Sequence, residues 1–488
     1  MKRLKKIFAL SVMTFLCLVG LSIDAKAEEA TRVDGDIVIS NGLSTAYITD
    51  GSYDTSVLLN TGDSVNVKTS TPIKGVYIIW GKPVNKWTLE YGQASKEYGQ
   101  NGFLHEYIEF EQTINEFTIK ADEGNTITDL KLFTEGELPS DIQVWEPSCE
   151  KADILLLSTH ADDEILFFGG ILPYYAGELD LEVQVVYFSQ YWTGANIREH
   201  EKLDGLWHAG VKHYPVTGKF DDLYADNLDA AKNIFDEDEV IEFVVEMIRR
   251  FKQQVTVAQD ENGEYGHGTH MLTSYAMKQA VEISMDPEKY PESAQTYGVW
   301  DVKKTYLHLY NQGQIVLDCR SPLERFGGKT TLEVASESYK LHVSQQWCWF
   351  YVDDEYEYSC AKYGLYRTTV GEDTTNDIME HIVDYKTQYE EERKRLEEES
   401  IKESESIRES QSIAESQSIS EAESIKAQEE QEAKNSSRKQ VLLIIGIIVL
   451  IFLAAIIIYY IILINRAIKR KKRRSASKRR NAKNSKKI

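Results

Sequence analysis

The chain has 488 residues, of which 42% are hydrophobic and 11% aromatic. That is too long for one compact core and too apolar for wholesale disorder. The formal net charge of -23 works against nucleic acid and other anionic polymers as partners. Between its two basic ends the chain carries about −40, which favours neutral or cationic partners.

The N-terminal stretch "MKRLKKIFALSVMTFLCLVGLSIDAKA" joins a basic start, an apolar run and a small-residue A-K-A site. It predicts a secretory signal peptide over residues 1–27, cut after Ala27. Residues 28–148 read as β. "SVNVK", "GVYIIW", "WTLEY", "EFTIKA" and "TDLKLF" alternate apolar and polar positions between Gly, Asn and Asp, as expected for a β-sandwich. "DGSYDT" (50–55), "GVYIIWG" and "TDLKLF" resemble the discoidin (F5/8 type C) jelly roll. That resemblance implies a sugar-binding module. The alternative is a spacer whose Trp80 and Trp87 serve only as core or surface aromatics.

From Ala152 the pattern changes. "ADILLLST" and "LEVQVVYFS" are nearly continuous apolar runs, as in strands buried on both faces. They alternate with the helical stretches "NIREHEKLDGLWHAGV" and "DEDEVIEFVVEMIRRFKQQ". Residues 149–370 are therefore expected to form an α/β Rossmann-like domain with a mostly parallel sheet. Residues 371–439 are charged and of low complexity. Ile401, Ile407, Ile413, Ile419 and Ile425 recur every six residues, a step of about 240° on a helix, so no stripe forms. A coiled coil is excluded and a solvated stalk is expected. Residues 440–464 contain an uncharged run, 441–464, long enough to cross ~30 Å of hydrocarbon as one helix. Residues 465–488 are rich in Lys and Arg without acids, which predicts a cytoplasmic tail. The folded domains would then stand outside a cell membrane, at a bacterial surface. Cys17 lies in the signal. Cys149, Cys319, Cys348 and Cys360 form no C-x-x-C pair; they allow three disulfide pairings or free thiols.

The densest chemistry is in "ILLLSTHADDEILFFGG", residues 154–170. His160 falls at the carboxyl edge of the first α/β strand, where open α/β sheets bind ligands. Asp162, Asp163 and Glu164 follow. Helix capping explains one of these acids but not three beside a histidine. A second cluster, "ENGEYGHGTHMLTS" (261–274), sets His267 and His270 in a Gly-rich loop before a helix. Two such junctions in one domain point to a metal or catalytic site.

His160-Ala161-Asp162-Asp163-Glu164 with Gly169-Gly170 resembles the H-P-D-D-E…GG opening of the PIG-L/LmbE-like zinc de-N-acetylases. Arg198-Glu199-His200-Glu201 with Gly210-Val211 is similar to that family's Arg-x-x-Glu helix. Tyr265 to His270 is similar to its Y-G-H-P-D-H loop, and "ASESYKLHVSQQ" (335–346) to its late H-x-S-Q segment. The resemblance covers about residues 150–350. It implies that His160, Asp163 and His270 bind Zn²⁺, leaving a position for water, with Asp162 as general base. It further implies that Tyr265 or His267 stabilises the oxyanion, that His267 protonates the leaving amine, and that Arg198 holds a substrate hydroxyl or carboxylate. Two positions depart from the pattern. Ala161 replaces a proline. Thr269 replaces an acid that would orient the neighbouring histidine.

A rival metal site is His200, Asp204 and His208, spaced to share a helix face. His105, His213, His308 and His381 read as structural. The expectation is an extracellular, membrane-anchored zinc amide hydrolase removing acetyl from a GlcNAc-type amino-sugar of a surface glycan. One alternative is a non-catalytic glycan-binding adhesin with a degenerate hydrolase domain. The other is a zinc amidohydrolase of a small N-acyl amine.

Overall fold

The computed structural model of the chain describes residues 28–429 and 447–461. The predicted signal peptide and basic tail lie outside the described residues.

Two strands, Ser64–Trp80 and His105–Ala121, frame the N-terminal domain. They pair antiparallel, with the register broken between Lys68 and Gly75. On one side of the break, Asp36–Ile39 pairs with the first strand, and Trp87–Tyr91 with the second. On the other side, Asn125–Phe133 pairs with the first strand and carries Arg32–Val33 and Val57–Leu59 on its far edge. The eight-stranded sheet is thus two leaves joined through its longest strands. Alternate residues Val65, Val67, Val76, Ile78 and Trp80 enter one core, the period-2 pattern of a half-buried strand. Trp80 and Trp87 are fully buried there, ring centroids 5.2 Å apart. They are core residues and offer no face to a sugar.

The second domain is a seven-stranded sheet. Five parallel strands run in the order Val216–Asp221, Val183–Gln190, Ile154–Ser158, Val255–Ala258, Lys304–His308. Lys362–Thr368 and Gln314–Val316 complete the edge antiparallel. The continuous run "ILLLS" follows from burial on both faces. Ile154 and Leu156 pack into one cluster, Leu155 and Leu157 into another. Helix Glu237–Phe251 covers the second cluster with Val240, Val244, Ile248 and Phe251. It starts where the Asp236 carboxylate accepts the N–H groups of Asp238 and Glu239, and it ends at Lys252 in the left-handed conformation. The strand order reverses between Ile154–Ser158 and Val255–Ala258. The crevice at their carboxyl ends is the place for a ligand.

A buried polar seam joins the two domains. The Tyr53 hydroxyl, from the "DGSYDT" loop, donates to Asp204 at 2.9 and 3.1 Å, and its ring stacks on His200 at 4.4 Å. His105 Nε2 lies 3.0 Å from His200 Nδ1. Gln143 donates to Asp204 at 2.6 Å and accepts the Trp145 indole N–H at 2.8 Å. These contacts take apart the rival metal trio. His200 and Asp204 face the sandwich, whereas His208 is exposed and bonds Glu337 at 3.2 Å. His213 is structural: it donates to Pro147 O at 2.9 Å and pairs with Glu182 at 2.7 Å.

One sequence-based boundary moves. Residues 371–385, assigned to the stalk, pack on the α/β domain. Asp373 bonds Lys304 and Tyr306, Asp377 accepts from Tyr175 at 2.8 Å, and Asp153 accepts the Tyr385 N–H at 2.7 Å. Their polar composition looked like a linker because their carboxylates serve buried donors. Within the described residues the stalk is helical over Tyr385–Glu429, a stretch of about 68 Å at 1.5 Å per residue. The predicted membrane span is described only over 447–461, which is helical with most of its apolar side chains exposed. Among the described residues no helix is long and apolar enough to cross a membrane. Cys149, Cys319, Cys348 and Cys360 are free thiols, and all but Cys348 are buried.

Candidate metal centre and active site

The chain leaves Ile154–Ser158 through Thr159 and turns sharply at Asp162, whose φ is 125°. A non-glycine residue in this region costs about 1–3 kcal/mol and marks a conformation that its surroundings enforce. Asp162 makes no side-chain cap to the short helix Asp163–Leu166. Its N–H instead donates to Glu164 Oε2 at 2.7 Å. The Asp163 carboxylate bends back and accepts the His160 N–H at 2.8 Å. Capping therefore accounts for neither aspartate.

Three predicted ligands converge. Asp163 Oδ2 lies 3.0 Å from His160 Nδ1 and 3.1 Å from His270 Nε2, and the two nitrogens are 2.9 Å apart. All three side chains are buried. Glu264 accepts from His270 Nδ1 at 2.7 Å, so the neutral ring presents a lone pair at Nε2. One proton cannot satisfy three atoms that all face one point; a cation can. Around a tetrahedral zinc with bonds of about 2.0–2.2 Å, donor atoms stand about 3.3–3.6 Å apart, a few tenths of an ångström wider than here. The donor set fits the ion. The electrostatics agree. Burial pushes the His270 pKa down, but Asp163 and Glu264 override it and raise it to about 10. Burial pushes Asp163 up, and His270 and His160 hold it well below the carboxylate range. A positive charge belongs in this pocket.

The other predicted residues surround that point. Asp162 is buried, and burial raises its pKa to about 7 against the pull of Arg198. Arg198 donates to Asp162 Oδ1 at 3.1 Å, to Asp222 Oδ2 at 3.2 Å and to Ala161 O. Its guanidinium is stacked over Tyr191 at 4.3 Å. Its charge is thus directed at the turn that carries Ala161 and Asp162. His267 Nδ1 accepts the Thr269 N–H at 3.2 Å, and its ring stacks on His270 at 4.7 Å. Burial, then His160 and His270, lower its pKa to about 2. Thr269, which replaces the expected acid, orients His267 through its backbone; its hydroxyl bonds Leu223 O at 3.1 Å. Tyr265 is left-handed, at φ 50°, and its ring lies against Phe350 at 4.6 Å. His267 also brings a ring nitrogen within 4.8 Å of nitrogens on His160 and His270. Asp163 Oδ2, at 3.0 and 3.1 Å from His160 Nδ1 and His270 Nε2, shares the pocket with these three imidazoles.

Sequence reasoning missed a supporting layer. Glu264 also bonds His308 Nδ1 at 2.6 Å, so His308, which reads as structural in the sequence, holds the residue that orients His270. Gln259 donates to Asp163 Oδ2 at 2.9 Å. Asp222 Oδ1 stands 3.4 Å from His160 Nε2. Gln259 and Asp222 each follow a parallel strand at its carboxyl end, the one signal that marked them. The late H-x-S-Q segment acts as a lock. His342 Nε2 lies 2.8 Å from Glu164 Oε1, and Ser344 donates to Glu201 through N–H and Oγ at 2.6 and 2.5 Å. Gly205 makes room for this, since a Cβ there would stand 2.7 Å from His342 Nε2.

Residues 155–281 match the PIG-L family model, described as GlcNAc-PI de-N-acetylase. The chain is 26% identical over 187 residues to a 1D-myo-inositol 2-acetamido-2-deoxy-alpha-D-glucopyranoside deacetylase of Catenulispora acidiphila, covering 31% of this chain and 54% of the relative. It is 42% identical over 79 residues to a mycothiol S-conjugate amidase of Streptomyces coelicolor, covering 16% and 25%. The chain thus spans between a quarter and about half of the length of these curated relatives. Among solved structures, N,N'-diacetylchitobiose deacetylase from Pyrococcus horikoshii aligns over 40% of this chain and 71% of its own, at 17% identity and a TM-score of 0.32.

Proposed function

We propose that the PIG-L domain of residues 155–281 makes this protein a zinc-dependent de-N-acetylase, hydrolysing the N-acetyl amide of a GlcNAc-type amino-sugar. One observation carries the reading: His160 Nδ1, Asp163 Oδ2 and His270 Nε2 meet within 2.9 to 3.1 Å of one another, beside a buried aspartate that titrates near neutrality.

His160, Asp163 and His270 would hold the zinc. When bound, the ion supplies Lewis acidity, the chemistry that brings the pKa of water down to about 7. Asp162 takes the proton of the attacking water. Its pKa of about 7 lets it accept that proton and later release it to the departing amine, since a matched pKa serves both transfers. Arg198 keeps Asp162 aimed and favours its ionised form. His267 spends Nδ1 on the Thr269 N–H, so its neutral ring carries hydrogen on Nε2. With its pKa depressed to about 2, it stays neutral. It suits stabilising a developing oxyanion better than giving up a proton. Tyr265, its hydroxyl kept protonated by burial and then by Asp163 and Asp162, is the second donor.

We further propose that the enzyme works outside the cell, on a surface glycan, with the stalk and the 440–464 segment as its anchor. The signal-like N-terminus, the uncharged run and the basic tail support that placement. A membrane-impermeant biotin reagent that labels intact cells on the α/β domain agrees with it; labelling only after lysis rejects it.

The activity is tested by acetate release from N-acetylglucosamine and its glycosides, with zinc-loaded and chelator-stripped protein compared. Zinc-dependent release, lost in Asp162→Asn, is the expected result. Equal release by stripped protein would reject the metal.

A further inference from the structure

Immediately after His342 and Ser344 the chain reads Gln345-Gln346-Trp347-Cys348-Trp349-Phe350. The lock on Glu164 and Glu201 fixes this strap against the catalytic loop. From it a row of rings leads to the metal centre. Trp349 lies on Phe350 at 4.2 Å, Phe350 on Tyr265 at 4.6 Å, and Tyr265 stands edge-on to His270 at 5.4 Å. The outer rings are open to water: Trp349 is 62% exposed and Trp347 82%. In the same chain Trp80, Trp87 and Trp145 are buried. A further open ring, Tyr224, is 63% exposed and stands edge-on to His267 at 4.8 Å. Large aromatic surface left in water beside a catalytic centre marks a binding surface.

We propose that the substrate is an oligosaccharide, and that Trp347 and Trp349 hold the sugars next to the one whose amide is cut. This rests on the hydrolase reading of the centre. The chemistry of the partner follows from the rings and the charge. A pyranose ring presents a flat C–H face that an indole covers while the hydroxyl groups stay in water. Once some amides are cut, the chain carries ammonium groups, which aromatic faces attract. Asp353, Asp354, Glu355 and Glu357 follow the strap; Arg320 pairs with Asp354 at 2.7 Å and with Glu355 at 3.0 Å, which leaves a net negative charge that a cationic or neutral chain tolerates. An anionic lipid surface does not.

The test is calorimetric titration of the zinc-loaded full chain with β-1,4-linked N-acetylglucosamine oligomers, from mono- to pentasaccharide, beside a Trp347→Ala/Trp349→Ala variant. Affinity is expected to rise about tenfold or more with length, the worth of a few aromatic contacts. In the variant the rise should vanish while zinc content is retained. No rise with both tryptophans present, or the same rise in the variant, overturns the proposal. So does Trp-dependent binding to phosphatidylcholine vesicles in place of the oligomers. Both chains are titrated in an Asp162→Asn background, so binding is read without turnover, and acetate release is followed separately in the chain that keeps Asp162. Length-dependent, Trp-dependent binding with no acetate released would therefore reject the hydrolase and leave the glycan surface standing.

Discussion

Glu264 accepts from His270 Nδ1 at 2.7 Å through one carboxylate oxygen and faces His308 Nδ1 at 2.6 Å with the other. This clamp decides which nitrogen of His270 is free, and leaves Nε2 facing His160 and Asp163. Burial would push the carboxyl up, but the two histidines hold it down at about 2. An orienting carboxylate of this kind contributes about 10- to 100-fold in metal affinity. Glu264→Gln should therefore lose zinc to a competing chelator at a concentration lower by about that factor. An unchanged competition curve would remove Glu264 from the centre.

Asp162→Asn should keep zinc and lose at least about 10²-fold in kcat, the scale of a general base. In the zinc-loaded wild type, kcat should rise with pH as Asp162 ionises, below the metal-free value of about 7 because the bound cation favours the carboxylate. His267, depressed to about 2, adds no limb above that. An acid limb that persists unshifted in Asp162→Asn would exclude Asp162 as the base.

The same aspartate should cost stability. Its folded pKa of about 7 lies above its unfolded value of about 3.9, so between the two the native state binds more protons. Stability then falls as pH rises through that window. Metal-free Asp162→Asn should melt higher than metal-free wild type at pH 8, and nearly level with it at pH 4. The reverse order at pH 8 would mean that the ionised Asp162–Arg198 pair stabilises the fold.

His267→Ala and His270→Ala separate the neighbouring histidines. His270→Ala should lose the metal; His267→Ala should keep it and lose rate, about 10²- to 10³-fold for one oxyanion donor. Metal lost in His267→Ala and retained in Asp163→Asn would exchange their assignments.

The N-terminal domain is bound to the catalytic one through Tyr53, His105, His200 and Asp204. Deleting residues 30–145 should lower thermal stability and abolish action on small and polymeric substrates alike. A deletion that stays folded and fully active on N-acetylglucosamine would make the module an appended one.

Local pattern carried much of this into the sequence. The both-faces burial of "ILLLS" showed as an unbroken apolar run. His160, Asp162 and Asp163 stood out because a strand end holds few reasons for an imidazole and two acids. His267 and His270 showed through their Gly-rich loop. The supporting layer did not show, because it is assembled from a distance. Asp222, Gln259 and His308 come from the ends of three other strands, and single polar residues there have no spacing to betray them. Glu264 sat in the quoted loop, but its role needed the fold of that loop around His308. Trp347 and Trp349 drew no notice, since exposure is decided by packing and not by residue type. The His200-Asp204-His208 spacing was real on the helix, yet the sandwich claims two of the three.

The measurement closest to the central claim is the metal content of the purified wild-type chain beside His160→Ala, after loading with zinc and removal of excess. Close to one zinc per wild-type chain, with loss in the variant, is the predicted result. Zinc bound equally by both, or by neither, would contradict a centre built on His160, Asp163 and His270.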